Sequence, residues 1–529
     1  MCGISGVVGP IASEKFLEQL LNPISHRGEI LHRYEMLIRP GIAIGTHRLA
    51  IVDETLGRQP IQDNIRNVFC VFNGEIYNHL ALREELSLYH RFESKCDSEV
   101  VLHAYSQWGN KFTNHLDGKF AICIVDEGRN SLILARDRMG VKPLYYADYK
   151  DSVLFSSELK SFSNIDDCFL EIQELEPGCI WENGEIKRYF TLEKFARDPL
   201  PNCSKQMYQD GLKNHLINAV SKRIPKNAEK VACLLSGGID SSVITYLASQ
   251  KHPHVIAYTL AAPDMLSEDL QAAKTLCSYL NLEHIVVSPS VQEMQEFYLK
   301  KGVCMTESFE PILVRNAVSY HFVCRQIVKD GFKYCLNGEG ADELFGGYDF
   351  VKEVPLDQQD DLIWHSLSII HKTYLQMADR ASMYSTLEAR VPFLDKDLVD
   401  YCLSLPSEAR ISGEKNKVYL RELFDKELPK NIVYRRKTGM NEGAGFGVNA
   451  SKDSIYYNSV NFYYKQHPER FNEDLALCKE VNLFKEIDLT EIEEIYNFAR
   501  YSELNYTRLK GAAIRLQLNA SLRREVVKV

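Results

Sequence analysis

A short segment near the middle of the chain combines the residue types that bind phosphate groups. The apolar run Val231–Leu235 leads into SGGIDSS, residues 236–242, and then into an unbroken helical pattern. A strand, a glycine pair and a helix start bring unpaired backbone N–H groups and the positive end of a helix dipole to one point. Gly237 and Gly238 let an anion approach the backbone, and three hydroxyl groups add donors. These hydroxyl groups belong to Ser236, Ser241 and Ser242.

An ordinary turn before a helix would explain the glycines and one serine, but not the acid Asp240 in the same seven residues. A carboxylate repels phosphate unless it also binds a cation, so Asp240 indicates Mg²⁺. The chain has neither a GxxxxGK motif followed by Ser or Thr nor a GxGxxG after a strand. A Walker-type NTPase and a dinucleotide enzyme are therefore not favoured.

A second acidic loop follows another strand candidate. Residues 337–347, NGEGADELFGG, come directly after Lys333–Leu336. Loops after the strands of a doubly wound sheet meet at one edge, so this loop would lie near Asp240. We expect Asp342 to share the metal with Asp240, and Glu339 to act as a general acid or base. Two lysines are basic candidates for the phosphates, or else solvated surface residues: Lys417 and Lys437.

The second residue of the chain is a cysteine with a use that a buried cysteine lacks. Once Met1 is removed, the α-amino group of Cys2 could serve as the base for its own thiol, because α-amino groups have a pKa near 7.7–8.0. Chance would explain the position alone. Four polar segments between strand candidates favour a nucleophile instead: HRG at 26–28, THRLAIVD at 46–53, FNGEIYN at 72–78 and KCDSE at 95–99.

These polar segments hold the groups that an attack on an amide requires. The tetrahedral oxyanion needs two donors, which the Asn73 side chain and the Gly74 backbone can supply. A free amino acid substrate also needs an arginine for its carboxylate and acids for its ammonium group. Arg48, Glu75 and Asp97 fit those roles.

The hydrophobic pattern divides the chain into two halves of different fold class. Residues up to about 195 are rich in short strand candidates, with helical periodicity only at Glu14–Leu21 and Ser98–Trp108, and predict an α+β fold. The strand candidates are Gly41–Ile44, Val68–Phe72, Phe120–Val125, Ser131–Ala135, Val153–Phe155 and Cys179–Trp181.

Two prolines near Asp198–Ser204 indicate a domain boundary, which we place between residues 200 and 201. Beyond the boundary, the helical stretch Met207–Lys222 and a series of strands alternating with helices predict an α/β fold with a parallel sheet. These strands are Lys230–Leu235, His254–Leu260, His284–Val287 and Lys333–Leu336. After Tyr348 the pattern is mainly helical, up to and including Leu489–Arg515.

The composition excludes several classes of protein. With 529 residues, 45% of them hydrophobic, 18 prolines and 29 glycines, the chain is neither disordered nor fibrous. A net charge of −10 without a basic cluster disfavours nucleic-acid binding. No run approaches the roughly 18 apolar residues of a membrane span, and the start lacks a signal-peptide pattern, so we expect a cytoplasmic protein. The 14 cysteines show no CxxC pair and no zinc spacing.

Together these motifs resemble the glutamine-dependent asparagine synthetase family over nearly the whole chain. The N-terminal CGI, the HRG and the NGEIYN segments are similar to the glutaminase half of that family. SGGIDSS, GEGADE at 338–343 and EARVPFLD at 388–395 are similar to its synthetase half. The resemblance implies an α+β N-terminal-nucleophile glutaminase, an αββα sandwich, in residues 1–200. An α/β PP-loop domain of the adenine-nucleotide alpha-hydrolase type, with a helical C-terminal part, would follow in residues 201–529.

The resemblance also implies the chemistry of each half. Cys2 would form a glutamyl thioester and release ammonia inside the protein. ATP, with Mg²⁺ as cofactor, would activate a carboxylate as an acyl-adenylate, from which ammonia displaces AMP. The expected partners are glutamine, ATP and a carboxylate acceptor such as aspartate, without nucleic acid or a membrane, and the chain could form a homodimer.

The family's functional residues map onto matching positions of this chain. Catalysis is assigned to Cys2, Asn73, Gly74 and Glu339, and glutamine binding to Arg48, Asn73, Gly74, Glu75 and Asp97. ATP or pyrophosphate binding is assigned to Leu234, Ser236, Gly237, Gly238, Asp240, Ser241, Ser242, Gly338 and Lys437. The acceptor is assigned to Arg315 and Glu339, and the metal to Asp240 and Asp342.

Two positions depart from the family pattern. Glu29-Ile30 follows HRG where the family usually has Pro-Asp, and Ile312-Leu313 replace a Thr-Thr pair shortly before Arg315. The loss of two hydroxyl donors would disfavour aspartate, because a site that lacks a needed donor discriminates strongly, unless these are core positions in a shifted loop. The acceptor is therefore left open between aspartate, our first expectation, and another carboxylate such as a specialised metabolite or a sugar acid. A regulatory protein with an inactive synthetase half is disfavoured by the joint presence of Asp240, Glu339, Asp342 and Lys437.

Overall fold

The structure, a computed structural model, describes most of the chain. The described residues are 2–29, 34–53, 55–63, 65–165, 170–196, 203–263, 266–447, 454–480, 496–497 and 500. They form two compact units: residues up to Leu192 with Met383–Thr386 form the first, and Glu193–Ser382 with the residues from Leu387 onward form the second. The predicted boundary between 200 and 201, Ile30 and most of the predicted helix Leu489–Arg515 lie outside the described residues.

The first unit is built mainly from strands. The strands are Cys2–Val8 (β1), Glu35–Arg39 (β2), Ile42–Arg48 (β3), Ile61–Asp63 (β4), Val68–Ile76 (β5), Gly118–Asp126 (β6), Ser131–Arg136 (β7), Tyr145–Tyr149 (β8), Ser152–Ser156 (β9), Gln173–Glu174 (β10), Cys179–Glu182 (β11) and Glu185–Arg188 (β12). The α-helices are Glu14–Leu21 (α1), His79–Leu86 (α2) and Asp97–Trp108 (α3). Each of the six predicted strands overlaps one of these strands, and both predicted helices are present.

Two antiparallel sheets stack face to face between helices. One has the strand order β10-β8-β9-β1-β3-β2 and the other β12-β11-β7-β6-β5-β4. Successive residues of a strand face opposite sides of its sheet. Phe69 and Val71 of β5 therefore pack in the core between the sheets, while Cys70 and Phe72 pack against α2 and α3. On the far side, α1 buries Leu17 and its neighbours against β1 and β3. The layers run α, β, β, α, which confirms the fold predicted for this half.

The second unit alternates strands with helices and ends in helices. Its helices are Lys205–Lys222 (α4), Ile239–Lys251 (α5), Glu268–Leu280 (α6), Val291–Phe297 (α7), Val303–Thr306 (α8), Pro311–Lys329 (α9), Ala341–Phe345 (α10), Leu356–Ser368 (α11), Tyr374–Met383 (α12), Lys396–Leu403 (α13), Val418–Leu423 (α14), Lys430–Val433 (α15), Met440–Gly443 (α16), Ile455–Gln466 (α17) and Pro468–Glu480 (α18). Its strands are Val231–Leu234 (β13), Val255–Leu260 (β14), Glu283–Val287 (β15), Tyr334–Leu336 (β16), Glu388–Arg390 (β17), Ile411–Ser412 (β18) and Lys415–Asn416 (β19).

A five-stranded parallel sheet organises the second unit. Its strand order is β15-β14-β13-β16-β17, and all neighbouring strands run parallel. Cys233 of β13 pairs with Leu336 of β16. The loops after these two strands therefore leave the sheet at the same edge, which confirms the α/β prediction and brings residues 236–242 beside residues 337–340.

One edge strand of this sheet has no counterpart among the predicted strands. Glu388–Arg390 pairs with β16 although only one of its three residues is apolar. Arg390 Nε donates to Glu388 Oε1 at 2.8 Å, and both side chains are buried. Charged residues occupy two of the three positions, so a hydropathy pattern alone does not reveal this strand.

Among the described residues, no helix combines the length and apolarity that a bilayer crossing requires. The predicted cytoplasmic location and homodimer stay predictions.

Candidate active site

Cys2 begins the central strand β1 and is held at several atoms. Its main-chain nitrogen donates to Asn73 Oδ1 at 3.1 Å, and its carbonyl oxygen accepts from Arg27 Nε at 3.2 Å. The β1–β3 register places Cys2 opposite Arg48. The side chain is 5% exposed. The structure thus brings together Cys2, Arg48 and Asn73, which lie on three different strands.

The side-chain amide of Asn73, whose oxyanion role stays a prediction, is held in one orientation. Because its Oδ1 accepts from Cys2, its Nδ2 must face the other way. Asn73 is fully buried, and its Nδ2 has no hydrogen-bond partner among the described residues. A buried donor without an acceptor is unfavourable unless a ligand supplies one. The adjacent Gly74 has no room for a side chain, because a Cβ there would lie 2.1 Å from the Lys119 carbonyl oxygen.

The predicted glutamine-binding residues surround the same end of the first unit's sheets. Arg48 Nη2 donates to the Asp53 carbonyl oxygen at 2.7 Å. Asp97 begins α3, and its Oδ2 accepts from the Ile76 backbone N–H at 2.9 Å. A Cβ at Gly57 would lie 2.8 Å from Arg48 Nη2 and 2.9 Å from Cys96 Sγ. Cys96 Sγ in turn lies 3.5 Å from Asp97 Oδ1, so Arg48 lies close to Asp97. Glu75 is buried on β5, two residues after Asn73. The assignment of these residues to glutamine stays a prediction.

A buried charge cluster anchors the Cys2 carbonyl, and the sequence did not reveal it. Arg27 is fully buried, and its Nη1 lies 2.5 Å from Glu158 Oε1. Lys160 Nζ and His26 Nε2 also contact the Glu158 carboxylate, at 2.5 and 3.1 Å. Burial lowers the pKa of His26 despite the attraction of Glu158. The HRG segment was the available signal, but its partner Glu158 lies more than 130 residues further along the chain.

The predicted phosphate loop lies between β13 and α5. Gly238 is the N-cap of α5 and no side chain caps that helix end, so its first N–H groups can receive an anion. Ser241 Oγ accepts from the Ser236 backbone N–H at 3.2 Å and lies 3.2 Å from Ser236 Oγ. Gly237 has φ +74°, and a Cβ there would lie 2.5 Å from the Cβ of Ala272. Glycine is therefore required at 237 by both conformation and space.

This loop forms one wall of a pocket of about 180 Å³ at the carboxyl edge of the parallel sheet. Eight predicted site residues line the pocket: Leu234, Ser236, Asp240, Ser241, Gly338, Glu339, Asp342 and Lys437. Four predicted residues are not among its described lining: Gly237, Gly238, Ser242 and Arg315. Unpredicted lining residues include Asp269, Ser319, Tyr320 and Asn337.

Lysine side chains pair with the two predicted metal-binding acids. Lys417 Nζ lies 2.5 Å from Asp240 Oδ2 and 2.6 Å from Asp342 Oδ1. Lys417 is 1% exposed, so it is not the solvated surface residue considered above. Lys437 contacts the other oxygen of Asp342. Gly347 leaves room for this arrangement, because a Cβ there would overlap Asp342 and Lys417.

The charges in this cluster stabilise one another. Burial alone would raise the pKa of Asp342, but the ammonium groups of Lys417 and Lys437 hold it well below its usual value. Burial likewise opposes the charge on Lys437, yet the carboxylates of Asp342 and Asp240 raise its pKa above the ordinary value. The pair of acids fits Mg²⁺, because carboxylate oxygens that share one ammonium are at most about 5 Å apart and Mg²⁺ bound to phosphates uses one or two carboxylates. ATP fits the open start of α5 together with Lys437.

Glu339 faces the same pocket in a different electrostatic state. Burial, and then repulsion by Glu343, raise the pKa of Glu339 to about 8. A group with such a pKa can exchange a proton near neutral pH, which suits a general acid or base.

Replacement of Glu339 by glutamine should change how stability depends on pH. The folded protein keeps the Glu339 proton up to about pH 8, whereas a glutamate in the unfolded chain loses it near 4.5. The free energy of unfolding therefore falls as the pH rises between these values, and Glu339→Gln should remove that part of the fall. We expect the variant to gain stability relative to the parent between about pH 5 and pH 8.5 in urea unfolding of the second unit. Substitution of the exposed Glu414 by glutamine is the matched control. An equal gain in stability at pH 5 and at pH 8.5 for Glu339→Gln would contradict the raised pKa of Glu339.

The two neighbouring glycines of the phosphate loop should respond differently to alanine. Gly237→Ala would place an alanine in the left-handed region, with its Cβ only 2.5 Å from the Cβ of Ala272. We therefore expect the free energy of unfolding to fall by about 1–3 kcal/mol. Gly238 has an ordinary φ of −70°, and its Cβ would meet only Ser236 Oγ at 3.5 Å. Gly238→Ala should therefore unfold like the parent. Chemical denaturation of both variants checks this, and equal stabilities would show that the loop backbone differs.

Of the two residues predicted to hold the acceptor, Glu339 lines the pocket after β16, and Arg315 lies near the start of α9. Arg315 and Leu313 are each 4% exposed, while Ile312 is partly exposed. Arg315 precedes the pocket-lining Ser319 by four residues, one helical turn on the same face. The role of Arg315 toward an acceptor stays a prediction.

Comparison with known proteins accounts for both units. A family model described as glutamine amidotransferase domain matches residues 1–190, and one described as asparagine synthase matches residues 211–364 and 355–455. A glutamine-hydrolyzing asparagine synthetase 3 from Arabidopsis thaliana is 32% identical over 481 residues, 86% of this chain and 81% of the relative. The chain belongs to the glutamine-hydrolysing asparagine synthetase family.

The family includes a more distant relative that matches over almost its full length. A putative glutamine-hydrolyzing asparagine synthetase 1 from Methanocaldococcus jannaschii is 29% identical over 550 residues, 90% of this chain and 99% of the relative. Family membership confirms the predicted order, an N-terminal glutamine amidotransferase domain followed by a synthetase domain, and identifies the chain as a ligase.

Proposed function

We propose that the chain hydrolyses glutamine at Cys2 and uses the ammonia, with ATP, to amidate a carboxylate, aspartate being the first acceptor to test. One observation carries the synthetase half of this proposal: Asp240, Glu339, Asp342 and Lys437 line a single pocket where β13 and β16 end. Family membership supports the combination with glutamine.

The glutaminase step follows from the contacts of Cys2. With Met1 removed, the α-amino nitrogen would take the thiol proton, and the thiolate would attack the side-chain amide carbon of glutamine. Asn73 Nδ2 and the Gly74 backbone would stabilise the oxyanion. The C–N bond then breaks, the proton passes from the α-ammonium group to the leaving nitrogen, and ammonia departs. Water hydrolyses the thioester to glutamate and restores the thiol.

The ligation step uses the pocket of the second unit. The acceptor carboxylate would attack the α-phosphorus of ATP, pyrophosphate would leave, and ammonia would then displace AMP from the acyl-adenylate. The start of α5 and Lys437 would hold the pyrophosphate. Glu339 would exchange a proton with the attacking nitrogen. Mg²⁺, when bound by Asp240 and Asp342, would neutralise charge on the phosphates.

A second acceptor class is favoured by two features of the second unit. Lys437 is the one cationic side chain among the described residues that line the pocket, and it already contacts Asp342. Ile312 and Leu313 at the start of α9 offer no side-chain donors. Aspartate carries two carboxylates that both need partners, so an acceptor with a single carboxylate is the alternative to aspartate.

One assay decides between these acceptors. The full chain is incubated with glutamine, ATP, Mg²⁺ and one carboxylic acid at a time, and glutamate, AMP, pyrophosphate and the amide product are measured. AMP and asparagine formed only with aspartate would establish the first acceptor. AMP formed with another acid, but not with aspartate, would establish the alternative. Absence of AMP with every acid would contradict the synthetase proposal.

A further inference from the structure

Gln59 touches the sulfur of Cys2 although no motif pointed to it. Its Nε2 lies 3.8 Å from Cys2 Sγ, within hydrogen-bonding distance of sulfur, and its side chain is 5% exposed. The residue stands in the loop between β3 and β4, 57 positions from Cys2. It is a polar side chain at the proposed nucleophile that none of the assigned roles uses.

The orientation of the Gln59 amide is fixed by a second contact. Its Oε1 accepts from the Phe72 backbone N–H at 2.7 Å. A backbone N–H can bond only to the oxygen of an amide, so the nitrogen of Gln59 must face the sulfur. The backbone N–H of Gln59 donates to Glu35 Oε2 at 2.7 Å, which holds the loop in place. The donor aimed at Cys2 is therefore set by contacts on two other elements.

The same contact links the nucleophile to the oxyanion donor. Phe72 immediately precedes Asn73 on β5, and Asn73 Oδ1 accepts from the Cys2 nitrogen. Cys2 is thus held at its nitrogen by Asn73 and at its sulfur by Gln59, and both holders are fixed to one stretch of β5. A thiol is a weak acceptor, whereas a thiolate accepts strongly, so this donor gains strength when the proton leaves.

We propose that Gln59 is a positioning residue that stabilises the Cys2 thiolate and aligns it with the Asn73 amide. The inference rests on the proposed role of Cys2 as the glutaminase nucleophile. Other charged groups near Cys2 are Arg27 at its carbonyl, Arg48 on β3 and Glu35 at the Gln59 loop. They are unchanged in the variants below, so a difference between variants reports on residue 59.

Gln59→Glu separates the two contacts of the side chain. A glutamate keeps the shape and the oxygen that accepts from Phe72, but it places a carboxylate instead of an N–H beside the sulfur. The rate of alkylation of Cys2 by iodoacetamide is measured against pH in the full chain, with the Cys2 peptide quantified by mass spectrometry. Loss of a hydrogen bond to a charged group should move the midpoint up by about one to two pH units. The kcat for glutamine hydrolysis should fall roughly 10- to 100-fold with a smaller change in KM.

A purely structural role for Gln59 gives a different result. Gln59→Glu would then match the parent in alkylation midpoint and in kcat, because the bond to Phe72 is kept, and this outcome would overturn the proposal. If thermal melting shows that the glutamate variant is unfolded, Gln59→Met has similar length and no donor for the sulfur, although it also loses the Phe72 bond. An alkylation midpoint equal to that of the parent in this variant would likewise overturn the proposal. Cys2→Ala separates the two claims. Glutamine hydrolysis that survives Cys2→Ala would overturn the nucleophile, whereas an unshifted Gln59→Glu with an inactive Cys2→Ala would overturn only the role of Gln59.

Discussion

Replacement of Cys2 by alanine should abolish ligation with glutamine but leave ligation with free ammonia. The thiol is the group that forms the thioester, and removal of an attacking nucleophile lowers turnover by several orders of magnitude, so we expect a loss of at least about 1,000-fold with glutamine. Ammonia supplied from solution needs no thioester, and the ATP site is formed by other residues. Pyrophosphate release with each nitrogen donor, together with glutamate formation, measures both effects.

The control for this experiment is a cysteine buried in the same unit. Cys179 on β11 is 1% exposed and lies among apolar side chains. Cys179→Ala should keep both activities, although, like Cys2→Ala, it removes a buried thiol. Loss of ammonia-dependent ligation in Cys2→Ala would contradict the separation of the two reactions.

Local sequence patterns predicted the elements that carry the sites. The apolar spacing of Glu14–Leu21 is that of a helix with one buried face, and the structure has a helix with those limits. Val68–Phe72 is a continuous apolar run because β5 is covered on both faces, by the other sheet and by helices. The phosphate loop was found because strand, glycines, hydroxyls and helix start are consecutive in the chain.

The residues that sequence reasoning missed act through distant contacts. Strand β1 was not predicted, since Gly3 and Gly6 dilute its apolar pattern, and Gly6 is needed because a Cβ there would overlap Phe155. Glu158 and Gln59 reach Cys2 or its neighbours across 57 or more residues. Such contacts depend on how strands are ordered in the sheets, and no local periodicity encodes that order.

The burial of Lys417 is another feature that the sequence alone could not reveal. A lysine in a charged, helical stretch is usually solvated, and only the fold shows that Lys417 is enclosed with two carboxylates. Its backbone has φ +53°, a conformation uncommon for a residue other than glycine. Strain of this kind persists where the surrounding structure fixes the residue, often at a functional site.

Asp342→Asn should abolish adenylation with either nitrogen source while glutamine hydrolysis continues. Asp342 compensates the charges of Lys417 and Lys437, and an asparagine would leave both ammonium groups without that carboxylate. The same carboxylate is the proposed ligand of Mg²⁺, so we expect pyrophosphate release to fall by at least about 100-fold. This pattern is the reverse of the one expected for Cys2→Ala, and together the two variants assign one reaction to each site.

The matched control for Asp342→Asn is an acid whose ion pair is exposed. Asp361 contacts Lys194 at 2.7 Å, and both side chains are largely open to solvent. Exposed pairs contribute only about 0–1 kcal/mol, so Asp361→Asn should resemble the parent in stability and activity. Loss of a buried partner is costlier, and thermal melting must show that Asp342→Asn is folded; Lys437→Met provides the same test of the pocket if it is not. Adenylation that persists in folded Asp342→Asn would contradict the proposal that Asp342 binds Mg²⁺ for the phosphates of ATP, because asparagine lacks the negative charge of that carboxylate.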